Sequence, residues 1–234
     1  MGYKERIQRS IELLKMHAGQ TYNLYTSGGK DSDVIEHLAK RAGVKFRLIH
    51  KVTTIGYPEQ IAHLKTKENI EFIKPELNFY QLVIKNKMPP FRQQRWCCRE
   101  LKEHNEVGEF KILGIRKWES SSRNKNRREV ETCITESTRT INPIFDWQEN
   151  DIWRYIDENN INYCSLYDNG YGRVGCMFCP FKPNRIRKLD AKKYPRYKNL
   201  FIKTFNEVIR IRKEEGKKCT WKDGKELFEW WLDG

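Results

Sequence analysis

The sequence predicts an α/β protein: a parallel sheet with helices on both faces, followed by a C-terminal helical segment. Two observations carry this class. Short β-rich runs alternate with stretches of helical apolar spacing through the first half of the chain, as crossover-connected parallel strands require. Beyond Asn142 the alternation stops and helix-forming sequence takes over. The 234 residues suit one such domain with a small appendage, and 38% hydrophobic residues, 12% of the chain being aromatic, suffice for its core.

The elements read in order. Lys4 to His17 carries Ile7, Ile11 and Leu14 at helical spacing and opens the chain as an amphipathic helix. Tyr22 to Tyr25 is a strand that breaks at Ser27-Gly28-Gly29, and Asp33 to Ala42 is a helix closed by Gly43. Phe46 to Val52 and Ile70 to Ile73 are strands on either side of a helix at Pro58 to Thr66. Phe79 to Lys87 is helical up to Pro89-Pro90, and Phe110 to Ile115 is a further strand. Gln148 to Asn159 is a helix, with Asp146 as its expected cap, and a turn-rich stretch runs on to Pro183. Ala191 to Glu215 gives one long helix or two broken near Pro195, and Glu226 to Leu232 a last amphipathic one. A boundary near 183 separates residues 1–183 from a basic helical segment, 184–234.

A formal net charge of +14 calls for an anionic partner: nucleotide phosphates, nucleic acid or an acidic electron-donor protein. A basic solvated surface is the plain alternative. Nowhere do about 18 apolar residues run together, so no membrane partner is expected. Met1 to Gln20 is charged and lacks a signal peptide's apolar stretch, which points to the cytoplasm. Thiols stay reduced there, and cysteine spacing then speaks of metal or redox chemistry before disulfides.

Ser27-Gly28-Gly29-Lys30-Asp31-Ser32 stands between a predicted strand and a predicted helix. Such a loop is an anion cradle: glycines bring backbone N–H groups close to phosphate, and the helix N-terminus adds partial positive charge. Lys30 supplies a full charge, and Ser27 and Ser32 supply hydroxyl donors. The Walker spacing is absent. Gly114-Ile115-Arg116-Lys117-Trp118-Glu119-Ser120, followed by Arg123, closes a strand at the end where open α/β sheets bind ligands. Guanidinium forks fit phosphate or sulfate bidentately.

The hexapeptide resembles the PP-loop of the adenine-nucleotide α-hydrolase superfamily. The arginine run is similar to the Gly-x-Arg-x-x-Glu-Ser-x-x-Arg pattern of phosphoadenosine-phosphosulfate (PAPS) reductase-like proteins. Asn142-Pro143-Ile144-Phe145-Asp146-Trp147, the turn Leu166 to Arg173 and Tyr57-Pro58-Glu59 extend the resemblance over about Tyr22 to Pro180. It implies a PP-loop fold that binds an adenine nucleotide through Ser27, Gly28, Gly29, Lys30, Asp31, Ser32, Arg116, Glu119, Ser120 and Arg123. Trp147 and Trp153 read as core.

Cys97-Cys98 and Cys176-x-x-Cys179 form two pairs. A C-x-x-C turn presents two thiolates to one metal, and a second pair completes a four-cysteine site. Adjacent helical cysteines diverge by about 100 degrees, which suits a bulky cluster better than zinc, although zinc on the same thiols stays open. Arg95, Arg99, Lys102 and Arg173 are the basic neighbours expected to offset its charge. The arrangement resembles the ligand set of [4Fe–4S] adenylyl-sulfate reductases, and so implies that cluster. Cys133 and Cys164 read as small apolar residues.

Reductases of this kind carry a nucleophilic cysteine in a Glu-Cys-Gly-Leu-His tail, where this chain has Glu226 to Gly234. The nearest candidate is Cys219, flanked by Lys217 and Lys218 but without the Gly-Leu-His context; a structural or incidental role is the alternative. Three functions follow. The first is reduction of adenylyl sulfate to sulfite and AMP with a thioredoxin-like thiol donor. The second is an ATP-pyrophosphatase-type sulfurtransferase, using ATP with Mg, that thiolates or phosphorothioates nucleic acid. Its support is the basic stretch Lys182 to Lys218, with Tyr194, Tyr197, Phe201 and Phe205 interleaved; the same stretch equally reads as a solvated amphipathic helix whose aromatic residues pack inward. The third is a nucleotide-binding module without turnover.

Overall fold

A computed structural model describes residues 1–16, 19, 21–103, 110–133 and 137–233. Its first elements are α1 (Tyr3–Lys15), β1 (Tyr22–Tyr25), α2 (Lys30–Ala42), β2 (Phe46–Lys51), α3 (Pro58–Lys65), β3 (Ile70–Ile73), α4 (Phe79–Asn86) and α5 (Trp96–Leu101). Then come β4 (Phe110–Ile112), a 3-10 turn at Lys117–Glu119, α6 (Ser121–Asn126), β5 (Val130–Cys133), β6 (Thr138–Ile141) and α7 (Glu149–Glu158). Helices α8 (Asn184–Lys193), α9 (Pro195–Glu214) and α10 (Gly224–Asp233) complete the order. The chain divides into two compact units. One comprises Met1–Lys51, Pro58–Ile73 and Asn105–Val174; the other Val52–Tyr57, Lys74–His104 and Gly175–Gly234.

The first unit holds the predicted α/β architecture, a mostly parallel six-stranded sheet in the order β3-β2-β1-β4-β6-β5. In register, Leu24 of β1 pairs with Leu48 of β2 on one side and Ile112 of β4 on the other. These three are buried with Ile141 of β6 against Val34, Ile35 and Leu38 of α2, Leu14 of α1 and Ile152 of α7. Full burial of each such side chain contributes about 1.5–3 kcal/mol, so this stripe fixes how α2 lies on the sheet. β1 has its sequence neighbour β2 on one side and the distant β4 on the other, which makes the gap between β1 and β4 the topological switch point.

Several predicted boundaries move, and the C-terminal helical stretch starts at Asn184 rather than Ala191. Helix α2 begins at Lys30 rather than Asp33, inside the phosphate-type loop, and β4 ends at Ile112 rather than Ile115. The expected end of the first helix, His17, lies outside the described residues. Strand β5, antiparallel to β6 at the sheet edge, is not anticipated by the sequence reading, nor is β6. Both are four-residue segments, Val-Glu-Thr-Cys and Thr-Arg-Thr-Ile, with neither an apolar run nor a period of two to announce them. Helix α7 starts after Gln148, whose N–H donates to the Asp151 carboxylate; Asp146 pairs with Lys117 instead of capping.

The second unit is held by rings. Phe178, Phe201, Phe205 and Phe228 are fully buried, and Phe201 stacks on Trp231 at 5.3 Å between centroids. The basic C-terminal stretch is two helices split at Tyr194, with Pro195 opening the second, where its missing N–H costs nothing.

Candidate functional site

In the first unit, β1 delivers the chain into the loop Thr26 to Gly29 and α2 carries it away. Gly28 has φ +70°, and a Cβ there would lie 3.0 Å from Leu64 of α3, so the turn is closed to side chains. Its N–H donates to Thr26 Oγ1 at 3.2 Å; Thr26 Oγ1 donates to Ser32 Oγ at 3.1 Å, and Ser32 Oγ donates to Gly29 O at 2.6 Å. Gln60 of α3 donates to Ser27 O at 2.5 Å, and the Lys30 N–H donates to the Tyr167 hydroxyl at 3.1 Å. Ser27 itself is exposed. The loop is therefore fixed before any ligand arrives, with the N-terminus of α2 behind it.

Two cations converge there from the two loops flanking the switch point. Lys30 is 3% exposed and Arg116 4%. Lys30 Nζ lies 3.1 Å from Asp31 and 3.0 Å from Glu149; Arg116 lies 2.5 Å from each of the same two carboxylates. Two positive and two negative groups thus close a square of ion pairs. Gly114 allows it: a Cβ there would press the Asp31 backbone at 3.3 Å. Lys30 also faces the rings of Trp153 and Tyr167, at 5.8 and 5.3 Å, so Trp153 belongs to the site rather than to the core alone. Trp147 is core as expected, its Nε1–H donating to Ser10 at 3.0 Å. Glu149 is missed by sequence reasoning. It lies in the first turn of α7 just past the Asn142–Trp147 segment, and its only signal is that position.

Glu119 accepts the Arg116 N–H at 3.2 Å and pairs with Arg123. Ser120 caps α6 by accepting the Arg123 N–H at 3.2 Å. Burial, then the charges of Arg173, Arg127 and Arg116, pull the Arg123 pKa down to about 10, the mark of a crowded cationic corner. Behind the loop, buried Asp33 meets His63 at 3.0 Å and Lys67 at 2.8 Å, and Lys67 reaches Glu36 at 2.7 Å, tying α2 to the end of α3.

The two cysteine pairs lie together in the second unit, Cys97 and Cys98 on α5 and Cys176 and Cys179 on the turn before α8. Their thiols act on one another. The Cys97 pKa is pushed up by its hydrogen bond to Cys98, by burial, and by the charges of Cys98, Cys176 and Cys179. The Cys98 pKa falls to about 5: the Cys97 hydrogen bond favours its thiolate against burial, with help from Arg95 and Lys102. Cys176, Cys98 and Cys179 hold Lys102 charged. Among the expected basic neighbours Arg95 and Lys102 act on the thiols. Arg99 pairs with Glu100 at 3.6 Å, and Arg173 belongs to the first unit, where it opposes Arg123. The donor set fits a thiolate-bound metal group. Among the described residues no three Cys, His, Asp or Glu side chains are drawn in to the spacing of a single ion.

Cys219 is half-buried; its thiol contacts Trp221 O at 3.7 Å in a concavity bordered by Lys213, Lys222 and Lys225. Cys164 is buried, and burial raises its pKa, whereas Cys133 is exposed on the edge strand and is no core residue. Tyr194, Phe201 and Phe205 point into the core, so the basic helices do not offer them for base stacking.

A fixed glycine loop after β1 and an arginine after β4, meeting at the switch point of a parallel sheet, define a protein of the PP-loop nucleotide-binding class. Within that class the chain belongs to the phosphoadenosine phosphosulfate reductase domain family, whose model matches residues 21–182. An uncharacterized protein of Methanocaldococcus jannaschii is 30% identical over 91% of this chain and 55% of its own, so the chain spans about half that relative's length. A probable FAD synthase of Schizosaccharomyces pombe is 27% identical over 84% of this chain and 76% of its own. An adenosine 5'-phosphosulfate reductase of Oceanobacillus iheyensis is 30% identical over 63% and 64%. In fold, the chain is similar to a PAPS reductase of Candida auris, with TM-score 0.57 at 18% identity over 76% of this chain and 95% of that one. Relatives in this family are thus enzymes. Among the described residues no helix is long and apolar enough to cross a membrane.

Proposed function

We propose that the protein binds adenylyl sulfate at Ser27–Ser32, with the ligand's distal anion toward Arg116 and Arg123, and reduces it to sulfite and AMP. The observation that carries this reading is the pair of buried cations, Lys30 and Arg116, sharing half-exposed Glu149. An incoming phosphate or sulfate can take over Glu149's two ion pairs while Asp31 stays, so the cations never lose their counter-charge. Glu119 and Ser120 orient Arg123 beside them.

In the same reading Cys97, Cys98, Cys176 and Cys179 hold a [4Fe–4S] cluster, with Arg95 and Lys102 offsetting its negative charge. Such a cluster would take its thiolate ligands from both cysteine pairs and would supply iron–sulfur chemistry there. The nucleophile is assigned to Cys219. Its thiolate attacks the sulfur of adenylyl sulfate, the bond from sulfur to the phosphate oxygen breaks, and AMP leaves with the electron pair. A dithiol donor of the thioredoxin kind then attacks the Cys219 sulfur. The bond between Cys219 Sγ and the sulfonate sulfur breaks, sulfite departs with its electron pair, and the donor's second thiol closes the donor to a disulfide as Cys219 returns to a thiol. Adenylyl sulfate and a dithiol, incubated anaerobically with the protein, should give AMP and sulfite in equal amounts. Cys219→Ser should abolish sulfite while nucleotide binding persists. No sulfite from the wild-type protein would overturn the reductase reading.

A second reading is favoured by the FAD synthase relative, whose similarity spans more of this chain than that of the reductase. Here the loop takes ATP with Mg, an acceptor attacks the α-phosphorus, and pyrophosphate leaves. Pyrophosphate release from ATP dependent on flavin mononucleotide would support adenylyl transfer; release dependent on nucleic acid would support modification. Binding without product in any of these assays would leave a nucleotide-binding module.

A further inference from the structure

The turn that carries Cys176 and Cys179 contains an unusual residue between them. Phe178 has φ +53°, a left-handed conformation that a bulky L-residue adopts only against steric cost. Such a conformation persists where its surroundings over-determine it. Three anchors do so here. Gly56 pairs antiparallel with Cys176, and the Met177 N–H donates to Ile55 O at 2.8 Å. The Phe178 N–H donates to Asp190 Oδ2 of α8 at 3.2 Å. The Lys182 N–H donates to Cys179 O at 2.9 Å, and the Phe178 ring lies 5.0 Å from Phe201 and 5.4 Å from Phe228.

Of these anchors Asp190 is the expensive one. It is fully buried, and a buried carboxylate is costly to desolvate unless its lone pairs are filled and a cation stands near. Both conditions are met. Tyr57 O–H donates to Oδ2 at 2.6 Å, and buried Lys182 stands 3.7 Å from the same oxygen and 4.1 Å from the Tyr57 ring centre. Apolar residues of the same volume would often be as stable or more so, so stability alone does not account for the ionic group. Its carboxylate accepts the Phe178 N–H where the backbone is left-handed. That torsion sets the direction of the chain between the two sulfurs.

We propose that Asp190, with Tyr57 and Lys182 as its supports, is a positioning residue that holds Cys176 and Cys179 at the separation their shared ligand requires. The clamp itself rests on the geometry above; its role in holding a cluster rests on the assignment of the four thiols as ligands.

Peptide-resolved alkylation of the reduced, metal-free protein tests the clamp. Asp190→Leu should speed the reaction of Cys176 and Cys179 about tenfold, the scale of one lost hydrogen bond to a charged group, and leave Cys133 and Cys219 unchanged. Asp190→Asn, whose amide oxygen can still accept both bonds, should stay close to wild type. Tyr57→Phe keeps the volume and should give a smaller acceleration confined to the same two thiols; it carries the test should Asp190→Leu fail to fold. Equal acceleration at every cysteine, or none at Cys176 and Cys179 in a folded variant, would overturn the proposal. In iron-reconstituted protein, Asp190→Leu should also lose iron faster to a chelator. Wild-type protein that never retains iron would refute the cluster assignment and leave the alkylation result standing.

Discussion

The loop after β1 and the cysteine turn before α8 handle charge in opposite ways. Around Lys30, two cations meet two carboxylates and the local sum is zero. Around Cys98, four thiols compete and the charged neighbours acting on them include Arg95 and Lys102. The hydrogen bond between Cys97 and Cys98 pushes the Cys97 pKa up and the Cys98 pKa down, so the adjacent pair does not ionise as two equal thiols. The first region is balanced in charge, and on the proposed reading a ligand would enter it by exchange with Glu149. The second gathers thiols beside two cations, and on the proposed reading a metal group would bind there as thiolate.

The contrast breaks most visibly at the thiols. Anaerobically reconstituted protein should hold about four irons per chain, as a four-cysteine cluster does, and Cys97→Ser or Cys176→Ser should retain few or none. Iron analysis beside the visible spectrum decides this; one zinc and no iron would remove the cluster from the comparison.

On the balanced side the largest effect should come from Lys67, which answers two buried carboxylates. Lys67→Met should cost about 3 kcal/mol in urea unfolding at pH 7, the scale for leaving buried charge unpaired. Burial pushes the Glu36 pKa up, but Lys40 and Lys67 outweigh it and hold the group below its ordinary value. The stability it contributes is therefore present above the ordinary carboxylate range and lost as pH falls through the lowered value. The deficit of Lys67→Met should accordingly shrink in acid. A deficit constant down to pH 3 would mean that lost packing, not charge, is responsible.

A smaller effect is expected for Lys30→Ala, which should weaken binding of AMP or adenylyl sulfate by about 1.5–3 kcal/mol in calorimetry. Unchanged affinity would take the loop out of the site. The mildest variant should act in the opposite direction. Glu149→Gln removes the resident anion and should tighten the same ligands by a few-fold, about 1 kcal/mol or less for a partly exposed pair. Weaker binding would show that Glu149 assists the ligand rather than yielding to it.

The parts legible in the sequence are those with a local physical signature. Strands such as Ile70–Ile73 stand out by composition, and the glycine loop by its breaks between strand and helix. The cysteine pairs are visible by spacing. Glu149 is not, because nothing in its neighbourhood distinguishes it from a solvated helix start until β1 and β4 bring Lys30 and Arg116 to meet it. Asp190 is equally silent, an acid within a basic helix whose partners Tyr57 and Phe178 come from elsewhere in the chain. The aromatic residues of α9 are legible only up to a choice. Their interleaving with lysine and arginine fits either a stacking surface or an amphipathic helix with its rings inward, and the fold turns Phe201 and Phe205 inward.

The place of β5 at the end of the sheet has a practical consequence for anyone handling the protein. An edge strand offers its outward backbone groups to any other strand, and this one carries an exposed thiol, Cys133, at its end. Two molecules that meet edge to edge in air would bring such thiols within reach of oxidation and lock a chance encounter into a covalent pair. Protein stored without reductant should then run partly as a dimer on a non-reducing gel, and Cys133→Ser protein should not. A sizing column run on aged material would report storage history in place of the native assembly.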